Sequence, residues 1–221
     1  MVKAVFLDFY GTVVHEDGGI INIINNRIMK TGISANQDDI RQYWWNSFQN
    51  LFLNSYGDTF ETQRVLEKKS LADTIHHFKS SENVNELSEL LFEGWIKPSA
   101  FKESKEFFEK CPVPVYIVSN IDRADIEAAI MYHGFTPTKV FTSEDAKSYK
   151  PRRELFELAL KNTGFTPDEV VHIGDSLSSD IKGAGDLGVN TIWINRINQE
   201  FPIGIITVHN LLEIFETPYF R

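Results

Sequence analysis

The chain has 221 residues, 42% of them apolar, enough for one sizeable domain or one domain with an insert. A formal net charge of −9 with no basic block argues against a nucleic-acid or anionic-membrane partner, and no apolar run approaches the roughly 20 residues that span a bilayer. Asp8 interrupts the one apolar run near the N-terminus, so no signal peptide is expected, and the single cysteine, Cys111, cannot form an internal disulfide, which makes a cytoplasmic location the simple expectation.

In chain order, the first element is a short apolar run, Ala4 to Leu7, followed at once by Asp8-Phe9-Tyr10-Gly11-Thr12. Such a run, bounded by a turn signal, reads as a buried strand. Val13-Val14 and a polar turn, His15 to Gly19, come next. From Ile20 to about Lys97 the signals are helical. Ile20, Ile23, Ile24 and Ile28 recur at helical spacing. Ser34 reads as the N-cap of a helix carrying Ile40, Tyr43, Trp44 and Phe48, with Asp38 and Asp39 in its early turns. Asp58 or Thr59 reads as the cap of a helix from Phe60 to His77. Val84 to Trp95 makes another, with Leu87, Leu90, Leu91 and Trp95 on one face. The linker back out of this block falls around Lys97-Pro98.

The second half alternates. Strands are expected at Val113 to Val118, Lys139 to Phe141, Val170 to Ile173, Thr191 to Ile194 and Ile205 to Val208. Helices are expected from Arg123 to His133 (stopping at Gly134), from Pro151 to Asn162 and from Asp180 to Leu187. Strands alternating with helices imply an α/β fold with a doubly wound, parallel, Rossmann-like sheet. The expected division is a core of residues 1–15 and 98–221, with an all-helical insert at 16–97.

Polar residues cluster at the ends of the predicted strands. Asp8 and Thr12 follow the first, Ser119 and Asn120 the second, and Asp175, Ser176 and Asp180 the strand at Val170, while Lys150 precedes the helix at Pro151. Strand ends of a parallel sheet share one edge, where ligands bind, so these clusters can converge. Two or three carboxylates make a hard oxygen site suited to Mg²⁺. A hydroxyl, an amide and a lysine suit phosphoryl oxygens, and an aspartate beside both can attack phosphorus. His76, His77 and His133 lack metal-ligand spacing and read as surface residues.

This ordered set resembles the haloacid dehalogenase superfamily. The resemblance rests on Asp8-Phe9-Tyr10-Gly11-Thr12, Ser119-Asn120, Lys150-Pro151 and Gly174-Asp175-Ser176 through Asp180, and the helical insert is similar to the cap of subclass I. It implies Asp8 as nucleophile, with Thr12, Ser119 and Lys150 holding the phosphate or the attacked carboxylate and Asn120 shaping the site beside Ser119. It implies Mg²⁺ held by Asp8, the Tyr10 carbonyl and Asp175, with Asp180 in or beside the metal's shell.

One position departs from the phosphatase pattern. Family phosphatases carry an aspartate two residues after the nucleophile as general acid and base, and this chain has Tyr10. Tyrosine, with an ordinary pKa of about 10, is a poor general base near neutrality. Asp-x-Tyr-Gly-Thr resembles the 2-haloacid dehalogenases, whose halide leaves without a proton and which need no metal. Those enzymes lack the aspartate of the Gly-Asp-Ser motif, which this chain keeps. They also need an arginine from the cap, for which Arg41 and Arg27 are the candidates. The expectation is a Mg²⁺-dependent phosphatase of a small phosphorylated metabolite, as monomer or homodimer. The alternatives are a metal-free 2-haloacid dehalogenase and a phospho-ligand binder without turnover. His15 is a possible proton source in place of the missing acid. Tyr43, Trp44, Trp45 and Phe48 are either an aromatic wall over the substrate or helix core, and Trp44 and Trp45 cannot share one helix face.

Overall fold

The computed structural model describes residues 2–16, 19–33, 35–200 and 203–221. Strands β1 (Ala4–Leu7), β2 (Val115–Ser119), β3 (Lys139–Thr142), β4 (Val170–Gly174), β5 (Asn190–Ile194) and β6 (Thr207–Val208) form one parallel sheet in the order β3-β2-β1-β4-β5-β6. Every residue of β1 is buried, as a central strand covered on both faces requires. Val5 and Leu7 pack with Val115, Ile117, Val171 and Ile173 on one face. Ala4 and Phe6 pack with Val118, Phe141, Phe156 and Val170 on the other. The neighbours of β1 are β2 on one side and β4 on the other. The strand order therefore reverses beside β1, and a crevice opens beyond its carboxyl end.

Four helices lie between β1 and β2: α1 (Ile20–Thr31), α2 (Gln37–Leu53), α3 (Gln63–His77) and α4 (Val84–Ile96). The expected cap residue Ser34, and Asp17 and Gly18 of the expected polar turn, lie outside the described residues. Helix α2 is capped by Asn36, whose side chain accepts from the Asp39 amide while the Asp39 carboxylate accepts from the Asn36 amide. Helix α3 starts at Gln63, not at Phe60, because Gly57–Thr59 forms its own 3₁₀ turn. The core helices include α5 (Ser104–Lys110) and α7 (Ser143–Ala146), neither of which the sequence reading contains, α6 (Arg123–His133) and α8 (Glu154–Thr163). Pro151 lies in a turn before α8, closed by the Arg152 amide on the Tyr149 carbonyl. After β4, a π-helical segment (Leu177–Lys182) begins three residues earlier than the helix expected at Asp180, with the Ser176 hydroxyl accepting from the Ser179 amide. Among the described residues no helix is long and apolar enough to cross a membrane.

The two connections between sheet and helical block run side by side. Val14 pairs with Ala100, the His15 amide donates to the Ser99 carbonyl (2.8 Å), and the Phe101 amide donates to the Val13 carbonyl (3.2 Å). His133 is not a free surface residue: its Nε2 lies 2.7 Å from the Pro98 carbonyl and its ring stacks on Phe135.

The block is also tied to the sheet at the first turn of α3. Thr62 makes no side-chain cap there, so the orphan amides of the first turn need another acceptor. Asp122, three residues past Ser119, takes them: its carboxylate accepts from the amides of Gln63 (2.7 Å) and Arg64 (3.0 Å). The Arg64 guanidinium then pairs with the buried Asp125.

Asp122→Ala should leave both amides without an acceptor and cost about 1–2 kcal/mol, lowering the melting temperature by about 2–8 °C for a chain of this size. Differential scanning calorimetry reads this directly, and a midpoint within about 1 °C of the wild type would remove Asp122 as the cap of α3.

Candidate active site

The sheet edge at the switch point collects the predicted polar clusters. Asp8 follows directly from β1, and its amide still donates to the Ile173 carbonyl (2.9 Å), so the ladder sets its position. Asp8 Oδ1 accepts from the Ser119 hydroxyl (3.1 Å) at the end of β2 and from the Lys150 ammonium (2.7 Å). Among the described residues no protein donor is seen on Oδ2, and Asp8 lines the cleft.

Lys150 is 1% exposed. Its ammonium donates to Asp8 Oδ1, to Asp180 Oδ1 (2.6 Å) and to the Val118 carbonyl (2.9 Å). All three of its protons are thereby used. Burial alone would lower the Lys150 pKa, but Asp180 and Asp8 outweigh it and hold the amine protonated above its ordinary range. Asn120 fixes the Lys150 backbone from both sides: its Nδ2 donates to the Lys150 carbonyl (3.0 Å), and its Oδ1 accepts from the Lys150 amide (2.7 Å). The Asn120 side-chain amide is thereby spent on the chain.

Asp180 is buried, and burial works against its charge. The Lys150 ammonium and the His172 hydrogen bond win and hold its carboxyl below the usual carboxylate range. Its Oδ2 accepts from the Ser176 amide (3.0 Å) and its Oδ1 lies 2.9 Å from His172 Nε2. Burial lowers the His172 pKa, so the ring is neutral and donates its Nε2–H to Asp180, with Nδ1 as the unprotonated nitrogen. Gly174 makes this packing possible: a Cβ there would stand 2.2 Å from Asp180 Cγ.

Asp175 completes the carboxylate group. One oxygen from each of Asp8, Asp175 and Asp180 lies within 4.8 Å of the others. Burial first, then the charges of Asp8 and Asp180, push Asp175 up to about 8. When all three are ionised, three carboxylates facing one lysine leave the pocket about two charges short of balance. This deficit, and a donor set of hard oxygens, fit a divalent cation such as Mg²⁺. Gly11 lets the loop approach: its φ is +85°, and a Cβ would stand 2.4 Å from Asp175 Oδ2. Thr12 is fully buried, and its hydroxyl lies 3.4 Å from Asp175 Oδ1. It therefore faces a carboxylate and not the open cleft, because the Gly11 turn carries it inward.

Tyr10 lines the cleft, but its hydroxyl is committed to the Trp95 carbonyl at the end of α4 (2.7 Å). Burial, with Asp125 and Asp8 adding, raises its pKa above the ordinary tyrosine value. The cleft holds about 230 Å³, and the helical block supplies its far wall, including Trp45, Phe48, Gln63, Glu67 and Trp95. Trp44 and Phe48 are buried, whereas Trp45 is exposed by 54%. Trp44 is thus helix core and Trp45 the cleft-side aromatic. His15 is exposed, lies with its ring tilted against Phe101 and is not among the described lining residues. Arg27 pairs with Glu82, and Arg41 hydrogen-bonds Asn22. Arg41 lines an adjoining cavity, and neither arginine lines the cleft.

Three supporting residues escape the sequence reading. His172 sits inside β4, where the one hint is a polar residue in an apolar strand. Trp193 of β5 donates its indole N–H to the Asp175 carbonyl (2.6 Å). Arg196 bonds the Thr12 carbonyl, pairs with Glu103 and lies 3.4 Å over the Phe101 ring. Only contacts distant in sequence reveal these roles.

The crowding at Asp175 has a measurable sign. Its folded pKa is raised, so the metal-free fold loses stability as pH rises from about 4 to about 8. Asp175→Asn should therefore melt a few degrees above the wild type at about pH 8 in chelator. The gap should narrow as the pH falls toward 5. Thermal melts at the two pH values check this, and a variant less stable than the wild type at pH 8 would contradict the crowding.

With this geometry in place, similarity to known proteins can be assigned. The family model of the haloacid dehalogenase-like hydrolases matches residues 2–188. (S)-2-haloacid dehalogenase 4A of Burkholderia cepacia is 23% identical over 207 residues, 88% of this chain and 84% of that one. Pyrimidine 5'-nucleotidase YjjG of Escherichia coli is 28% identical over 152 residues, 56% of this chain and 67% of that one. A crystal structure of a dehalogenase in an intermediate complex superposes with a TM-score of 0.78 at 20% identity, covering 97% of this chain and 96% of that one. The buried Asp8–Lys150 pair, the sheet order and the match across residues 2–188 agree: the chain belongs to the haloacid dehalogenase-like hydrolases.

Proposed function

We propose that the chain is a Mg²⁺-dependent phosphatase of a small phosphorylated metabolite, built as a core of residues 1–15 and 98–221 under a helical cap of residues 16–97. The observation that carries the reading is Asp175, the third carboxylate of the group with Asp8 and Asp180. An unbalanced carboxylate of this kind is costly in a site that needs no metal. In the proposed site, Asp8 and Asp175 hold the ion together with the Tyr10 carbonyl, and Asp180 stands beside its shell, since both Asp180 oxygens already accept protein hydrogen bonds. When bound, the ion offsets the charge of the phosphoryl oxygens and of the carboxylates.

The chain's own residues supply the rest. Ser119 and Lys150 hold Asp8 Oδ1, and this orients Oδ2 for attack. The new Oδ2–P bond forms as the P–O bond to the leaving group breaks, giving an aspartyl phosphate that water then hydrolyses. Tyr10 is a poor proton donor here, because its hydroxyl is spent on Trp95 and its pKa is raised. General acid help is typically worth about 10²–10⁴ in rate, so turnover should fall steeply with poorer leaving groups.

A second reading, a 2-haloacid dehalogenase, is favoured by Tyr10 itself and by the similarity to the Burkholderia enzyme. It requires a cation for the substrate carboxylate. Lys150 is the one lysine or arginine lining the cleft among the described residues, and its protons are all committed.

Para-nitrophenyl phosphate and 2-chloropropionate, each offered with Mg²⁺ and with chelator, separate the two. Phosphate release should require Mg²⁺ and fall to background in Asp8→Asn. Chloride release indifferent to chelator would overturn the phosphatase reading in favour of the second one. Within the phosphatase reading, an alkyl phosphate should turn over at least about 10²-fold more slowly than para-nitrophenyl phosphate. Equal rates would mean that an acid other than Tyr10 serves the leaving group.

A further inference from the structure

Two features of the cleft point to one kind of leaving group. The first is Tyr10, which stands where a phosphatase keeps its acid and spends its hydroxyl on the Trp95 carbonyl. A leaving oxygen that receives no proton must depart as an anion. A phenol ionises at about 10 in water, and an aliphatic alcohol is a far weaker acid. A site without that acid therefore favours an aryl oxygen over an alkyl one.

The second feature is the wall that the leaving group meets. Trp45, Phe48 and Phe52 recur at i, i+3 and i+7 along α2, which places them on one helix face, and all three line the cleft with Asp8. Their rings form a row. Trp45 stacks on Phe48 with centroids 6.2 Å apart, Phe48 lies 5.5 Å from Phe52, and Phe52 lies 4.4 Å from Tyr149. Tyr149 immediately precedes Lys150, so the inner end of the row is fixed beside the residue whose ammonium holds Asp8. At the outer end Trp45 is more than half exposed, although Trp44 and Phe48 are buried. The row thus runs from the core beside Lys150 out to open surface. The cleft of about 230 Å³ adjoins a second cavity of about 610 Å³, and both are lined by Trp45 and Phe48. Arg41 lines that second cavity beside Glu16 and Glu67, so its charges are mixed, and the aromatic surface is what continues from one cavity into the other. Aromatic rings in offset or edge-to-face contact gain affinity beyond the area they bury.

We propose that the substrate is an aryl phosphate, a monoester whose leaving group is a phenol, with its ring received on the Trp45–Phe48–Phe52 face of α2. This inference rests on the phosphatase reading and narrows it to one substrate class. The Asp8 Oδ2–P bond forms as the bond from phosphorus to the aryl oxygen breaks. The electron pair stays on that oxygen, which leaves as aryloxide and takes its proton from water. Water then hydrolyses the aspartyl phosphate and releases inorganic phosphate.

The test uses phosphonates that cannot be hydrolysed, as competitive inhibitors of para-nitrophenyl phosphate turnover with Mg²⁺ present. Benzylphosphonate is phenyl phosphate with a methylene in place of the bridging oxygen. Cyclohexylmethylphosphonate is its saturated counterpart, apolar but without a π face. The inhibition constant of the benzyl compound should be about three- to tenfold below that of the cyclohexyl compound. That advantage should shrink to less than about twofold in Trp45→Ala or in Phe52→Leu, and the variant that loses it locates the ring along the row. Each ratio is taken within one protein, so a general loss of activity cancels, and the wild-type ratio stands even where a variant does not fold. A benzyl compound that binds no tighter than the cyclohexyl compound overturns the inference while the phosphatase reading stands. An advantage kept in full by both variants removes the aromatic face of α2 as its source and overturns the inference as well. Absence of para-nitrophenyl phosphate turnover removes the phosphatase reading, and this inference with it.

Discussion

A buried ammonium between two buried carboxylates is the constraint on which the rest of this molecule depends. Lys150 reaches the carboxyl edge of the sheet and meets Asp8 and Asp180 at hydrogen-bond distance, with the Val118 carbonyl as third acceptor. Charges this deep are costly unless they are paired and hydrogen-bonded. The surroundings follow from that demand. Asn120 clamps the Lys150 backbone, and Ser119 takes its share of Asp8. His172, neutral, donates to Asp180 from inside β4. Glycines at 11 and 174 let the carboxylates approach backbone that any side chain would block. The network spans the loops after β1, β2 and β4 and the turn before α8, so the sheet order and the charge balance support each other.

The same loops also hold the helical block. Tyr10 follows Asp8 by two residues and bonds the carbonyl at the end of α4. Asp122 follows Ser119 by three and caps α3. Tyr149 immediately precedes Lys150, and its hydroxyl donates to the Glu61 carbonyl (2.8 Å). Three of the segments that carry charged chemistry thus each carry a neighbour bonded to the block. A shift of the block would be felt at Asp8, Ser119 and Lys150 through a few peptide units. The parallel connections at Val13–His15 and Ser99–Phe101 keep the two crossings in register.

Tyr10 is where the chain departs from a phosphatase pattern, and its environment gives the departure a physical meaning. Its hydroxyl is a structural donor with a raised pKa, not an acid poised for transfer. Asp175 pulls in the other direction, toward a site completed by a divalent ion. The two residues lie on loops that touch: Gly11 separates Tyr10 from Thr12, and Thr12 faces Asp175. The site therefore combines a metal-suited carboxylate group with no acid at the usual place.

The sequence by itself determined the α/β class, the strand-ending clusters and their meeting at one edge. The reason is that apolar strand runs and the polar residues that end them are local signals, and parallel topology brings strand ends together. It also marked α6 to the residue, because Arg123 to His133 is bounded by Gly134 in the left-handed conformation. Boundaries moved where non-local contacts compete with propensity: α3 begins after an independent 3₁₀ turn, and the segment after β4 winds early as a π-helix around Asp180. Only the tertiary structure decided that Thr12 turns inward, that Trp45 and not Trp44 faces the cleft, and that His172, Trp193 and Arg196 support the site. Each of those outcomes depends on which side chains meet across long stretches of chain, and periodicity along a single sequence does not encode that.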